Sequence, residues 1–403
     1  MSNLTKTIKL RIYVTPEQEI LFRQMTEQYR LACNFVSQYI FDHQFDLAYQ
    51  NLNKELYSNL RHLFGLKSQL AQSSIKTTIA KFKTVKQQLF QNPYRYKDEN
   101  NDWQRIPKTL EWLWKPIFFS RPQADLVRNR DYSFVNDGQT LSINTLDWRT
   151  KCPFESKHFA EYLNGSYKLG TAKLVKLKGW WYLHIPVTKT VEDFQKVNVR
   201  HVVGIDRGLR FLTVSYDEQG KTEFVSGKKI ATKRHKFQEL RKQLQSKGTK
   251  SAKRKLKAIS GRENRWMSDV NHQISKTLVQ KYGKDTLFVL EDLAGVSFEE
   301  RNFSKTTKQN YDLRSWAFYQ LEQFLTYKAH ENRSEVLKVS ARYTSQRCPK
   351  CGTIHKENRD HSCQCGYKSN DDRIGAMNIQ LLGTMWISGD NNPHYERITT
   401  ASE

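Results

Sequence analysis

Two short apolar runs in this chain each stop on an acid. Val202-Val203-Gly204-Ile205 leads into Asp206, and Leu287-Phe288-Val289-Leu290 leads into Glu291. Such runs read as strands buried on both faces. A carboxylate at the end of a buried strand is costly unless an ion or a cationic partner compensates it. The two acids lie 85 positions apart (291 minus 206), compatible with neighbouring strands of one sheet. A third acid, Asp372, stands in SNDDRIGAMNI, ahead of a helix-like stretch with Ile374, Met377, Leu381 and Leu382 on one face. Each acid alone also has a plain structural reading. Asp206 can open a turn before Gly208, Glu291 and Asp292 can cap a chain reversal, and Asp372 can cap the helix. From the residues alone, either Asp371 or Asp372 could point inward. Together the three carboxylates suit magnesium, which takes one or two carboxylates plus phosphate oxygens and water.

The chain has 403 residues, enough for two to four compact units. Sixty-six Lys and Arg against 41 Asp and Glu leave a formal charge of +25, which calls for a polyanionic partner. Nucleic acid fits better than a membrane, because no basic amphipathic segment accompanies a lipidation signal. No run of about eighteen apolar residues is present, so no spanning helix is expected. The opening MSNLTKTIKLRIYV alternates like a strand and has no signal-peptide core, so a cytoplasmic, nucleoid-associated protein is expected.

Four of the six cysteines fall in Cys348-Pro-Lys-Cys351 and Cys363-Gln-Cys365, each pair followed by a glycine, Gly352 and Gly366. That spacing predicts a closed structural Zn²⁺ site with four thiolates. His355 and His361 are the substitutes if one cysteine does not bind. Folding of this module around zinc is expected to help position the acid that follows it.

The element pattern is mixed α/β and multidomain. Residues 6–14 read as a strand, Thr15-Pro16-Glu17-Gln18 as a helix start, and 17–91 as helical until Asn92-Pro93. From 107 to 200, TLEWLWKPIFFS, DYSFVND, TLSINTL, KLGTAKLVKL and WWYLHIPVT read as short strands of a small barrel or curled sheet, which the opening strand joins. Strands are expected over 202–216, 222–226, 286–290 and 335–339, with a basic helical region at 228–282. Helices are expected over 312–331, capped by Asp312, and over 373–382. This gives a barrel from 1–16 and 92–200 and a helical insertion at 17–91. An α/β core takes 201–340 and 371–383, the cysteine module 341–370, and a disordered tail 384–403.

Residues 228–257 hold thirteen Lys and Arg and one acid, Glu239. A phosphate backbone alongside relieves that repulsion. Trp112, Trp114, Phe118, Trp180, Trp181 and Tyr182 are mostly core candidates, with one or two free to stack on bases. Arg207, Arg342, Arg347 and Arg373 border the acids and the cysteines.

At GIDRGLRFLTV, LEDLAGV, YTSQRCPKCG and CQCGYKSNDDRIGAMNI the chain resembles the TnpB family, transposon-encoded RNA-guided nucleases related to compact Cas12 effectors. SQLAQSSIKTTIAKFKTV and KPIFFSRPQADL add to the likeness, which covers nearly the whole length. The resemblance implies an N-terminal wedge barrel with a helical recognition insertion. It also implies a ribonuclease-H-like RuvC domain carrying a zinc-binding target-nucleic-acid-binding insertion. It places the metal-binding catalytic acids on Asp206, Glu291 and Asp372, and the zinc ligands on Cys348, Cys351, Cys363 and Cys365. Many relatives carry Asp-Val-Asn-Ala-Ala around the last acid, where this chain has Asp372-Arg373-Ile374-Gly375-Ala376. The implied activity is Mg²⁺-dependent cleavage of guide-matched double-stranded DNA beside a short motif, one monomer per transposon-end guide RNA. The rival expectations are an RNA-guided repressor that does not cut and a guide-independent, structure-selective nuclease. A DNA-strand transposase fits less well, because no paired histidines accompany a nucleophilic tyrosine.

Overall fold

The computed structural model describes residues 1–135, 140–155, 159–293, 318–355 and 362–396. It divides into two compact units, Thr5–Lys189 and Met1–Leu4 with Thr190–Glu403, each with its own buried core.

The first unit opens on strand β1 (Ser2–Ile12). Helix α1 (Pro16–Asp42) then starts at a full capping box. The Thr15 hydroxyl accepts from the Gln18 N–H, and the Gln18 side chain accepts from the Thr15 N–H. Such a cap contributes about 1 kcal/mol. Helix α2 (Tyr49–Phe64) stops at Gly65 in the left-handed region (φ 61°), and α3 (Ser68–Gln91) stops at Asn92 before Pro93. Next come β2 (Tyr94–Lys97), β3 (Trp103–Ile106), β4 (Gln123–Leu126), β5 (Tyr132–Val135), β6 (Thr140–Asn144) and β7 (Arg149–Pro153). A short helix α4 (Ala160–Leu163) precedes β8 (Lys168–Leu169), β9 (Ala172–Leu177) and β10 (Trp180–Val191).

The strands of this unit form separate sheets. One runs β1-β10-β9-β4 with β8 on β10, another β5-β6-β7, and β2 pairs only with β3. The opening strand thus joins the sheet as expected, but no closed barrel is present among the described residues. The β5-β6-β7 sheet touches the end of β1 only through an Ile12–Phe154 bridge and the hydrogen bonds of the Tyr13 and Glu155 N–H groups to the Pro153 and Arg11 carbonyls (2.9 Å each), without a continuous ladder. Helix α3 is fastened to β4, where Thr77 donates to the Asp125 carboxylate (2.5 Å) and Ser73 to the Asp125 carbonyl (3.0 Å). Helices and sheet share one core, in which Phe22, Met25, Tyr29 and Phe82 join Leu126, Leu174 and Leu183. Leu110–Trp112, read as part of a strand, is a 3-10 turn.

The second unit is built on the sheet β13-β12-β11-β14-β15. Its strands are β11 (His201–Asp206), β12 (Phe211–Tyr216), β13 (Thr222–Ser226), β14 (Thr286–Asp292) and β15 (Glu335–Ser340). Strands β11, β12 and β13 are antiparallel neighbours, whereas β11, β14 and β15 run parallel. Helices α5 (Lys228–Lys247), α6 (Lys250–Ile259) and α7 (Arg262–Tyr282) lie between β13 and β14, followed after the described gap by α8 (Phe318–Glu331). The expected cap Asp312 lies outside the described residues. Helix α9 (Asp371–Ile387) closes the unit. Val203, Ile205, Phe288 and Leu290 face one core with α7 and α8, while Val202, Leu287 and Val289 face another with Ile379 and Leu382 of α9. Burial on both faces explains why these strands read as unbroken apolar runs.

The expected disordered tail is corrected in part. Helix α9 continues to Ile387, and Tyr395 is buried, its hydroxyl donating to the Asn378 carbonyl (2.8 Å). An aromatic ring with one polar handle anchors a segment that composition alone marks as loose. Among the described residues no helix is long and apolar enough to cross a membrane.

Candidate active site and cysteine cluster

Register decides where the two strand-end acids point. Ile205 pairs with Leu290 in the parallel β11–β14 ladder, so Asp206 and Glu291 follow side by side at the carboxyl ends. Side chains alternate along a strand, and Gly204, Val202 and Val289 face α9, so Asp206 and Glu291 face it too. The strand read as ending at Leu290 runs on to Asp292, which fixes Glu291 in the ladder opposite Val339.

Glycines let α9 lie directly on this face. A Cβ on Gly204 would stand 2.1 Å from the Ala376 carbonyl oxygen, and one on Gly383 would stand 2.4 Å from Val289 Cγ2. Gly375 sits over the Asp206 carboxyl, with a Cβ there 3.3 Å from it. Real Cβ atoms do not tolerate the first two approaches, so the helix seats only because these positions are bare. At its N-terminus the Asn370 side chain accepts from the Asp372 (3.1 Å) and Arg373 (3.3 Å) N–H groups, which fixes the turn carrying Asp371 and Asp372.

The electrostatics tie the three acids together. Burial pushes the Asp206 carboxyl up to about 8, and the Glu291 and then the Asp372 charges push it the same way. Burial also raises Glu291, offset in part by the Thr344 hydroxyl, which donates to Oε1, and by the Arg207 guanidinium. Asp372 is raised by burial, drawn down by Arg210 and pushed up by Asp371. The Asp372 charge reaches Asp206. The three carboxylates are not gathered as tightly as the cysteines. Among the described residues, Cys348, Cys351, Cys363 and Cys365 are the one group of metal-ligand side chains whose donor atoms all lie within 4.8 Å of one another. A site for two ions spaced by about 3.5–4 Å does not require every carboxylate to meet at one point. Carboxylates raised by burial, with Asp206 raised further by its two neighbours, are also a donor set that a hard divalent cation would relieve.

The structure gives several residues around this site roles that the sequence did not. Arg207, read as a phosphate holder or a solvated cation, is a buried structural one. It donates to the Glu291 carbonyl and pairs with Glu322 (3.3 Å). Fully buried Asn378 donates to the carbonyls of Thr344 (2.8 Å) and Arg347 (2.7 Å). It thereby fastens α9 to the chain between Glu291's partner Thr344 and the first cysteine. Arg347 stacks over Tyr395 (4.6 Å). Gly204 alone carried a readable signal, since a glycine inside a strand marks close backbone approach.

The cysteines form two matching turns. Gly352 N–H donates to the Cys348 carbonyl and Gly366 N–H to the Cys363 carbonyl (2.9 Å each), with both glycines left-handed at φ 80° and 82°. The Cys348–Cys365 and Cys351–Cys363 sulfur separations are 3.7 and 3.4 Å. Tetrahedral zinc with bonds of about 2.3 Å requires edges of roughly 3.8 Å, so the four thiols fit such an ion. His355 Nε2 lies 3.3 Å from Cys363 Sγ, while His361 is outside the described residues.

Comparison with known proteins agrees with this arrangement. A family profile described as "Probable transposase" matches residues 184–295, and one described as "Cas12f1-like, TNB domain" matches 318–379. A CRISPR-associated endodeoxyribonuclease Cas12f1 of Syntrophomonas palmitatica is 28% identical over 243 residues, 54% of this chain and 46% of that protein. The chain thus spans under half the length of that relative. A putative RNA-guided DNA endonuclease, InsQ of Escherichia coli, is 29% identical over 55% of this chain and 59% of its own length. A solved Cas12f1–sgRNA–target DNA complex shares the fold at a TM-score of 0.61 and 13% identity, covering 94% of this chain and 99% of that one. The TnpB-like protein of Methanocaldococcus jannaschii is 30% identical over 220 residues, 53% of this chain and 76% of that protein. By that match, this chain belongs to the TnpB family.

Proposed function

We propose that the protein is an RNA-guided DNA endonuclease that cuts guide-matched double-stranded DNA at a site formed by Asp206, Glu291 and Asp372. The observation that carries this reading is geometric: Asp206 and Glu291 lie side by side at the ends of parallel strands on the face covered by the helix that carries Asp372, and the charges of both Glu291 and Asp372 raise Asp206. Perturbed carboxylates converging in this way favour a functional site over three unrelated caps. The strand order, three antiparallel strands followed by two parallel ones, supports the ribonuclease-H-like RuvC reading of 201–340 and 371–383. The first unit would then serve as the wedge, from 1–16 and 92–200, with 17–91 as the recognition insertion, and 341–370 as the zinc-binding target-nucleic-acid-binding module.

Asp206, Glu291 and Asp372 would hold Mg²⁺, which supplies Lewis-acid activation of water and neutralisation of phosphate charge. The chain's own part is to aim the acids and to oppose the rise of Glu291. Arg207 holds the Glu291 backbone, Thr344 donates to its carboxylate, and Asn370 caps the turn that presents Asp372. Basic α5 and α6 offer a phosphate-binding surface, and the names of the relatives agree with guide RNA and DNA as partners. The test is cleavage of a plasmid matching the RNA that copurifies with the protein, in Mg²⁺. Cleavage is expected from wild type and not from Asp206→Ala. Equal cleavage by both proteins would remove the acids from the mechanism. RNA-dependent binding without any cleavage would leave a repressor.

A further inference from the structure

The β2–β3 ribbon of the first unit has chemistry that its own fold does not use. All eight of its residues are exposed, and neither strand pairs with another. An isolated two-stranded ribbon is marginal in water. The register sets Arg95 directly opposite Arg105, and Lys97 opposite Trp103, on one face. Like charges facing across a ladder cost roughly 0.2–1 kcal/mol. Among the described residues neither arginine has an acidic partner; the nearest acids are spent within the turn, where Asp98 accepts from Gln104 and from two backbone N–H groups. The opposite face carries Tyr94 and Tyr96, with ring centroids 6.2 Å apart and planes 21° from parallel, and Trp112 packs 6.0 Å from Tyr94. These rings are 38–48% exposed. One face therefore carries two arginines without acidic partners beside Lys97, which lies over the exposed Trp103 ring (5.7 Å), and the other is stacking surface.

We propose that this ribbon is a docking surface for an unpaired segment of RNA, with phosphates on the Arg95–Arg105 face and bases against Tyr94, Tyr96 and Trp112. The inference rests on the RNA-guided reading. Both edges of the two-stranded ribbon are open among the described residues, so one RNA strand can pass around an edge and touch both faces. Aromatic rings bind unpaired bases, whereas a duplex keeps its bases stacked inside. The acidic turn at Asp98, Glu99 and Asp102 interrupts any continuous phosphate track, which favours a short single-stranded contact. RNA is favoured over displaced DNA by residence. Like charges facing each other need relief throughout the life of the protein, which a permanently bound guide supplies and a transiently opened target does not.

The test measures binding of a twenty-nucleotide oligouridylate and a matching oligothymidylate by fluorescence anisotropy across a salt series. Three proteins are compared: wild type, Arg95→Gln/Arg105→Gln and Tyr94→Ala/Tyr96→Ala. Unchanged melting temperatures would show that the variants fold. The arginine variant is expected to bind oligouridylate at least tenfold more weakly, with the salt slope shallower by about 1.4, since each lost phosphate contact on a single strand removes about 0.7. The tyrosine variant is expected to weaken binding at an unchanged slope. Oligothymidylate binding should fall less in both. Equal losses on both oligomers would overturn the choice of RNA. Wild-type affinity in both variants would overturn the docking surface while leaving the RNA-guided reading intact. A wild-type protein that binds neither oligomer would count against that reading itself.

Discussion

The cysteine cluster and the acid cluster make a useful pair, because each gathers metal-type ligands by a different route. The cysteines span 18 positions and meet through two copies of one local turn, each closed by a left-handed glycine. The acids come from β11, β14 and α9, and meet only because a parallel register, an alternation of faces and a bare patch of glycine bring them together. The cysteine cluster gathers charge on one sulfur, that of Cys351, which hydrogen bonds with Thr353 draw down to about 6. Among the carboxylates, burial and then the charges of Glu291 and Asp372 hold Asp206 above its ordinary range. Ligand loss should therefore have opposite consequences at the two sites, costing stability at one and relieving strain at the other.

The most severe test is Asp206→Ala, expected to lower Mg²⁺-dependent cleavage by about 10³-fold or more while leaving the melting temperature at or above wild type. A large loss of stability would collapse the contrast. Next in size, Cys348→Ser should release bound zinc, measured by atomic emission, and destabilise the second unit by about 3 kcal/mol or more. Cleavage should fall with it, since Asn378 joins the segment just before Cys348 to α9. Full activity without zinc would break that link. Gly204→Ala places a Cβ 2.1 Å from the Ala376 carbonyl oxygen and should cost about 2–3 kcal/mol in denaturant unfolding. Wild-type stability would show that α9 does not need the bare strand.

The pH dependence sharpens the comparison further. A carboxyl raised on folding binds its proton more tightly in the folded chain. Its stabilising contribution is complete below the unfolded value of about 3.9 and is lost as pH rises toward 8. In chelator, Asp206→Asn should therefore gain on wild type between pH 4 and 8, by on the order of 1–3 kcal/mol at the upper end. The difference should vanish near pH 4. A constant gap would mean that titration of Asp206 is not its cause. The smallest effect is expected from Thr344→Val, which removes the hydroxyl donated to Glu291. It should cost about 1 kcal/mol and move the acid limb of the cleavage profile to higher pH. An unmoved limb would separate Thr344 from the titration of Glu291.

Much of this was legible in the chain itself. Asp206 and Glu291 announced themselves by standing at the ends of apolar runs, and the cysteines by their spacing, because those signals are local. The capping box at Thr15 was legible for the same reason. Arg207 was misread because a cation beside an acid looks solvated until Glu322, 115 positions away, is seen to receive it. Asn378 and Thr344 carry no pattern of their own. The tail beyond residue 383 misled because a polar composition conceals what a single buried Tyr395 can anchor.

The sequence by itself determined the ligand types, the basic balance and the alternation of strands and helices, since composition and short-range periodicity suffice for these. Tertiary structure alone decided how the first unit's strands divide among sheets and that Glu291 lies inside the ladder. It also decided that the charge of Asp372 reaches Asp206. Those outcomes depend on which backbones approach within a few ångströms, and no single segment holds that information.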